Sequence, residues 1–158
     1  QRIGILPADP GSYEEARDVI DEIMAGDLVR RGWFSDVVSG ETMKRLIASN
    51  KELRGAVSEY INEVATVNYS DPELAKKIGE TARVDAFLIA YVDFWNYTRE
   101  AEEKVAKVGL ALKLVNVPGG QVVWKAGHHE IEDYLFMRPK LTDVAERLAK
   151  KMFNEMPH

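Results

Sequence analysis

The 158-residue chain contains no cysteine, which excludes disulfide bonds, thiol catalysis and thiolate metal sites. It also has no apolar run near the roughly 20 residues that a membrane-spanning helix requires. Its longest apolar stretch, residues 86–92, has the length of a β-strand. A basic excess is missing as well, since 21 basic residues stand against 26 acidic ones, for a formal net charge of −5. Because nucleic-acid-binding domains usually gather positive charge on one face, we expect no nucleic-acid partner.

What the chain does contain is typical of a folded domain. Hydrophobic residues make up 46% and charged residues 30% of the sequence, which suits a protein with a core and a solvated surface. The sequence shows no internal repeat, low-complexity tract or linker, and its length suits one domain. We therefore expect a single domain over residues 1–158.

Apolar spacing in the first half of the chain predicts strand, helix and strand. Residues 2–7 form a short apolar strand that a proline ends, because proline cannot donate a hydrogen bond to a sheet. Ser12 is placed to cap a helix that ends near Gly32, and residues 33–38 return to strand character. A further helical region follows, and Ser70 has the capping-box spacing that begins another helix. This order predicts a β-α-β opening.

The second half of the chain predicts a sheet built around one covered strand. Residues 84–92 are apolar at both alternating sets of positions, which indicates a central strand with cover on both faces. Apolar positions alternate through 105–117, and a Pro-Gly-Gly turn at 118–120 leads into a return strand over 121–130. An amphipathic helix ends the chain. The predicted fold is α/β, a mixed sheet of about five strands with a β-α-β opening, a C-terminal antiparallel meander and helices packed on it.

Several segments, in this order, resemble a family of bacterial envelope lipoprotein domains. The family includes the periplasmic domain of the curli secretion channel lipoprotein, activator lipoproteins of penicillin-binding proteins and small outer-membrane lipoproteins. The resemblance covers most of the chain, from about residue 2 to 153. The matching segments read IGILP at 3–7, LVRRGWF at 28–34, DVV at 36–38, MKRLI at 43–47, RVDAFLI at 83–89 and LKLVNVPGGQVVW at 112–124.

The chain also departs from that family. The Pro-Gly-Gly turn at 118–120 stands where the family usually has threonine-glycine, and residues 50–70 are a helical insert in place of a variable segment. No segment is long enough to supply the membrane-inserted hairpins of the curli channel. We therefore expect no pore formation by this chain.

The resemblance implies a non-catalytic periplasmic domain, anchored to the outer membrane by a lipid on an N-terminal cysteine. Because the sequence begins at Gln1, we expect that cysteine and its signal peptide upstream of it. The resemblance also implies a role in protein–protein interaction or envelope assembly, with another envelope protein or a further copy of the chain as partner. We expect contact with the membrane only through the lipid anchor.

Candidate catalytic and metal-binding residues are few. His128 and Glu130 share one face of the predicted return strand, but two ligands without a third do not make a metal site. Asp85 and Asp93 are separated by about 26 Å along one strand, too far for a carboxylate pair. Acidic residues in and after the loop at 8–12 disfavour phosphate, and no serine sits in a nucleophile elbow. We therefore predict no catalytic, cofactor-binding or metal-binding residue, and no cofactor.

The segment after the covered strand is the main candidate for an interaction. If the strand continues, Trp95 and Tyr97 share a face with Asp93, beyond the fully apolar stretch. Aromatic side chains that leave a core are favoured interface anchors, so we predict an interaction surface formed by Asp93, Trp95 and Tyr97. The same pattern suits aromatic residues that cover the end of the sheet from inside, and the residues alone leave both interpretations open.

Two other function classes are alternatives, namely a binding domain for a small molecule or nucleotide and a small hydrolase. A deep pocket lined by convergent polar groups would favour either of them. A flat aromatic surface would favour protein binding.

Overall fold

The computed structural model describes residues 1–67 and 70–158. Residues 68 and 69, at the end of the expected helical insert, lie outside that description. The 3-10 turn Glu14–Ala16 precedes the first helix. In chain order the elements are β1 (Arg2–Ile5), α1 (Arg17–Arg31), β2 (Asp36–Val38), α2 (Gly40–Ala48), α3 (Lys51–Val67), α4 (Pro72–Ala82), β3 (Ala86–Glu100), β4 (Glu103–Asn116), β5 (Gln121–Asp133) and α5 (Leu141–Phe153).

The strands form one mixed, five-stranded sheet in the order β2-β1-β3-β4-β5. β1 pairs in parallel with β2 and β3, whereas β3, β4 and β5 form an antiparallel meander. The predicted α/β class, the β-α-β opening and the C-terminal meander are confirmed. β3, which carries the stretch that is apolar on both faces, is the central strand, as predicted.

Helices cover both faces of the sheet, and each face has its own apolar core. α1 and α5 cover the first face, where Ile20 and Leu28 meet side chains of β1, β3 and β4. α2, α3 and α4 cover the second face. Successive residues of β3 point into the two cores in turn, with Leu88 in the first and Phe87 and Ile89 in the second. This explains why both sets of positions in the strand are apolar.

The first helix begins later than the sequence predicts and ends where it predicts. The chain makes the 3-10 turn first, and α1 starts at Arg17 with no side-chain cap, so the predicted cap by Ser12 is wrong. Gly32 ends α1 with a left-handed φ of 67°. A glycine reaches this conformation without the steric penalty that a Cβ brings.

The helix predicted to start at Ser70 takes its cap from the next residue. In α4 the Asp71 carboxylate accepts hydrogen bonds from the backbone N–H groups of Glu73 and Leu74. The Ser70 hydroxyl instead pairs with the buried hydroxyl of Tyr60. A carboxylate one residue later therefore displaces the serine from the predicted capping box.

Both hairpins of the meander turn on left-handed backbone. The predicted β4–β5 turn is confirmed, and its Gly119 and Gly120 have φ of 97° and 63°. Between β3 and β4 the turn uses Ala101 and Glu102, with φ of 49° and 68°, as a two-residue type I′ turn requires. Neither residue is a typical turn former, so sequence patterns do not predict this turn. Because it comes so late, β3 runs on to Glu100.

Candidate interaction surface

A β-bulge at Asp93 decides where the aromatic side chains of β3 point. The pairing with β4 skips Asp93, which lies between Val92 and Phe94. The extra residue reverses the alternation, so Val92 and Trp95 both lie in the core beneath α1 and α5. Trp95 is only 6% exposed, while Asp93 on the bulge is exposed. The burial of Trp95 fits the second of the two interpretations that the sequence left open, in which the aromatic residue covers the end of the sheet from inside. The strict alternation of faces does not survive the bulge.

Tyr97 lies at the border between core and solvent and holds the loop of residues 134–139. Its hydroxyl donates a hydrogen bond to the carbonyl of Pro139 at 2.9 Å. Its ring meets the ring of Tyr134 edge-on, with centroids 6.0 Å apart. The guanidinium of Arg138 lies 4.4 Å from the Tyr97 ring centroid. These three contacts give the loop a defined position on the end of the sheet.

The loop itself presents three consecutive large apolar side chains to solvent. Leu135 is 80% exposed, Phe136 95% and Met137 86%. The other large apolar residues of the described chain are mostly buried in the two cores. Exposed apolar runs of this kind are typical of surfaces that contact another molecule.

The strand that leads into this loop carries two more exposed apolar side chains. Val123 is 47% exposed and Ile131 44%, and both lie on β5. Within residues 1–66 and 70–158, the part of the chain whose side chains the structure describes, Val29 on α1 is the only other exposed side chain of this class. The apolar exposure of the molecule is therefore concentrated along one edge. We name this surface the apolar rim, formed by Val123, Ile131, Leu135, Phe136 and Met137.

Charged residues of α5 and of the segment after it pair with side chains on the face of β5 that α5 covers. The Lys151 ammonium lies 2.8 Å from the Glu130 carboxylate, and the His128 Nε2 lies 3.1 Å from Glu155. His128 and Glu130 thus have separate partners, since Glu155 lies just after the end of α5 and Lys151 lies on it. The part of the chain that the structure describes contains no cluster of three or more His, Cys, Asp or Glu residues able to hold a metal. These contacts position β5 without covering its outer edge.

A groove of about 310 Å³ lies beyond the carboxyl end of β1, where α/β folds often bind ligands. Arg17, Lys44 and Arg54 line it, together with residues 7–10 and apolar side chains of α2 and α3. The one carboxylate among the described lining residues, Asp9, accepts a hydrogen bond from the backbone of its own loop. Because this lining brings no acid–base pair together, the geometry favours the apolar rim over the hydrolase alternative.

Two buried or paired carboxylates have structural roles. Asp21 is 4% exposed and accepts a hydrogen bond from the backbone N–H of Ala8 at 3.0 Å. Burial raises the pKa of Asp21 to about 6, against the opposing effects of that hydrogen bond and of Lys44. Asp21 thereby ties α1 to the loop after β1. Asp85 accepts the backbone N–H of Arg2 at 2.8 Å, which joins the start of β3 to β1.

Sequence patterns did not single out residues 135–137. A signal is nevertheless present, because three large apolar residues follow the end of a strand and precede Pro139. They match neither a helical nor a strand period once the strand has ended. An apolar run without a period, placed between a strand and a helix, is the pattern that predicts such an exposed loop.

No protein-family model matches the chain, and no curated protein matches it. Solved structures do match it. Lipoprotein GNA1162 from Neisseria meningitidis superimposes with a TM-score of 0.63 at 14% identity, over 98% of this chain and 96% of its own. The PelC dodecamer from Paraburkholderia phytofirmans gives a TM-score of 0.61 at 18% identity, over 99% and 89%. Protein XCC0632 from Xanthomonas campestris gives 0.56 at 9% identity, over 98% and 80%.

At these identities the likeness is one of fold. It extends over nearly the whole chain and confirms the predicted resemblance to a bacterial lipoprotein domain. Among the described residues, no helix has the length and apolarity that crossing a bilayer demands. This chain therefore has the fold of a bacterial lipoprotein domain, with one exposed apolar edge.

Proposed function

We propose that residues 1–158 are a single, non-catalytic domain that works by protein–protein interaction through the apolar rim. The observation that carries the proposal is the exposure of Leu135, Phe136 and Met137, at 80%, 95% and 86%. Side chains of this size each gain about 1.5–3 kcal/mol when they leave water. A partner that covers all three gains substantial binding energy from one short loop.

The partner we propose is a further copy of this chain, and another envelope protein is the other partner that the rim suits. The structural neighbour PelC is a dodecamer, which supports assembly of copies by a protein of this fold. Tyr97 belongs to the proposed surface because it positions the loop through Pro139. Trp95 lies in the core and supports the surface from below. Asp93 is exposed on the β-bulge between Val92 and Phe94.

The compartment we propose is the periplasm, with an N-terminal lipid that anchors the protein to the outer membrane. The shared fold with a Neisseria meningitidis lipoprotein supports this location. The absence of a paired acid and base in the groove at β1 supports a role other than catalysis. Expression of the full-length gene with labelled fatty acid, followed by fractionation of the envelope, tests the anchor directly.

Sedimentation velocity over a concentration series tests the interaction. We expect the wild type to associate and the triple variant Leu135→Ser/Phe136→Ser/Met137→Ser to remain monomeric with an unchanged circular dichroism spectrum. Val29→Ser is the control, because Val29 is 63% exposed but lies on α1, outside the rim. It should associate as the wild type does. A wild type that stays monomeric at every concentration, or a triple variant that associates normally, would overturn the proposal.

A further inference from the structure

The two edges of the sheet differ greatly in length. β2 closes one edge with only three residues, Asp36–Val38. β5 closes the other with 13 residues, Gln121–Asp133. An edge strand exposes a row of unpaired backbone N–H and C=O groups, and natural proteins usually shorten or cover such edges. β2 follows this rule, whereas β5 does not.

The outer edge of β5 is regular over most of its length. Residues 121–133 contain no proline. The single irregularity in the pairing with β4 lies between Val122 and Trp124, which leaves an unbroken run from Trp124 to Asp133. Among the described residues, no hydrogen bond is made to the backbone of this run from any element other than β4. α5 packs on one face of β5, where Trp124 and Ala126 meet its apolar side chains.

We infer that a second copy of this chain pairs antiparallel with β5, edge to edge, so that the two sheets become one. This inference rests on the proposed self-association and names the surface that brings it about. A two-fold axis perpendicular to the sheet keeps every residue on its own face. Residues that oppose each other across the axis are therefore separated by an even number of positions, and the axis passes between the two copies of one residue.

The charges select His129 as the residue on that axis. In this register Lys125 of each copy opposes Asp133 of the other, on the face away from α5. Two opposite-charge pairs form across the interface, and no like charges oppose each other along the nine residues 125–133. Shifting the axis to Gly127 removes both ion pairs and places Lys125 opposite His129.

The shape of the edge suits the same register. The His129 ring lies over Gly109 of β4, where it fills the space that a Cβ would occupy, so it leans away from the edge. Gly127 has open space above it and opposes the exposed Ile131 of the second copy. The register also brings the end of β5, which leads into Leu135, to the end of the second copy's β5 at which the exposed Val123 lies. The pairing thus covers parts of the apolar rim as well as the backbone edge.

A charge exchange tests the pairing. Lys125→Glu sets an acidic side chain against Asp133 in both halves of the dimer and should weaken association at least about tenfold. It should not weaken the fold, because Lys125 opposes Lys113 on β4 and its charge, after burial, lowers the pKa of Lys113. Lys125→Glu/Asp133→Lys restores the opposite charges and should recover association. Lys76→Glu, the same charge change at an exposed position of α4, is the control and should associate normally.

Cross-linking tests the register, since the chain has no other cysteine. His129→Cys places two thiols directly opposite each other, at a Cα separation of about 5 Å that suits a disulfide. Gly127→Cys holds its two thiols about 13 Å apart in the same register. We expect oxidation to link the first variant into dimers and to leave the second unlinked, with native spectra for both.

The outcomes separate the two proposals. Linking of Gly127→Cys in place of His129→Cys would overturn the register and with it the role of Lys125 and Asp133. If neither links, and the charge variants associate normally while the wild type still self-associates, the edge pairing is wrong and the proposed function stands. A monomeric wild type would overturn the proposed self-association itself.

Discussion

Two segments of this chain are rich in large apolar side chains but differ in burial. Residues 94–97 of β3 include three aromatic side chains, of which Trp95 is only 6% exposed. Residues 135–137 are all large and apolar, and Phe136 is 95% exposed. The first segment lies in a central strand under α1 and α5, whereas the second lies in a loop after the last strand. Apolar content therefore does not decide burial, and the position of the backbone under a helix does.

The largest effect is expected from a substitution in the buried segment, and it should fall on the free energy of unfolding. Trp95→Ala should lower the free energy of unfolding by about 3–5 kcal/mol, because it leaves a cavity among β3, β4 and the helices that cover them. Phe94→Ala, on the opposite and partly open face of the same strand, should cost less. Urea denaturation measures both. A stable Trp95→Ala variant that fails to associate would show that the tryptophan is an interface anchor after all.

A change of pH should alter the free energy of unfolding through Asp21, which belongs to neither of the two apolar segments. The pKa of Asp21 is raised from 3.8 to about 6, so the folded chain binds this proton more readily than the unfolded chain does. The stability that protonated Asp21 contributes is fully present below its pKa in the unfolded chain, 3.8, and is lost as the pH rises through about 6. Relative to wild type, Asp21→Asn should therefore gain about 2–3 kcal/mol between about pH 4 and pH 8.

Urea denaturation at several pH values gives this difference, and Asp18→Asn is its control. A hydrogen bond from Lys44 lowers the pKa of Asp18, so that variant should show no such gain. A difference between Asp21→Asn and wild type that does not change with pH would contradict the assignment. Loss of association at the same pH would show that the core and the rim are coupled.

A single substitution in the exposed loop should have the reverse effect of Trp95→Ala. Phe136→Ser should weaken self-association by about 2 kcal/mol, as expected for an aromatic interface anchor. Its unfolding free energy should change by less than about 0.5 kcal/mol, because the ring makes little contact within the chain. Sedimentation equilibrium and urea denaturation of one preparation measure the two quantities. An equal loss of association free energy and of unfolding free energy would show that Phe136 supports the fold, as Trp95 does.

The smallest expected effect belongs to the residue that links the two segments. Tyr97→Phe removes the hydrogen bond to the Pro139 carbonyl and should lower stability by about 0.5–1.5 kcal/mol. Hydrogen exchange of the amides in residues 134–139 should quicken, and association should weaken only slightly. Tyr134→Phe is the matched control, since the described residues give its hydroxyl no hydrogen bond. If exchange is unchanged in Tyr97→Phe, Tyr97 does not hold the loop.

Local periodicity by itself determined the framework of this protein. The apolar stretch at 86–92 predicted a central strand, and the glycines at 119 and 120 predicted the hairpin, because burial on two faces and left-handed turns each leave a signature within a few residues. The order of these elements was enough to predict the α/β sheet and its likeness to lipoprotein domains.

Only the tertiary structure decided which apolar side chains reach the surface. The bulge at Asp93 arises from the register between β3 and β4, which is a relation between distant residues, and it moved Trp95 into the core. The exposure of residues 135–137 likewise depends on where β5 ends and how far α5 extends over the sheet. A pattern along the chain reports which face a residue takes only while the pairing stays regular, and it carries no information about where the covering helices stop.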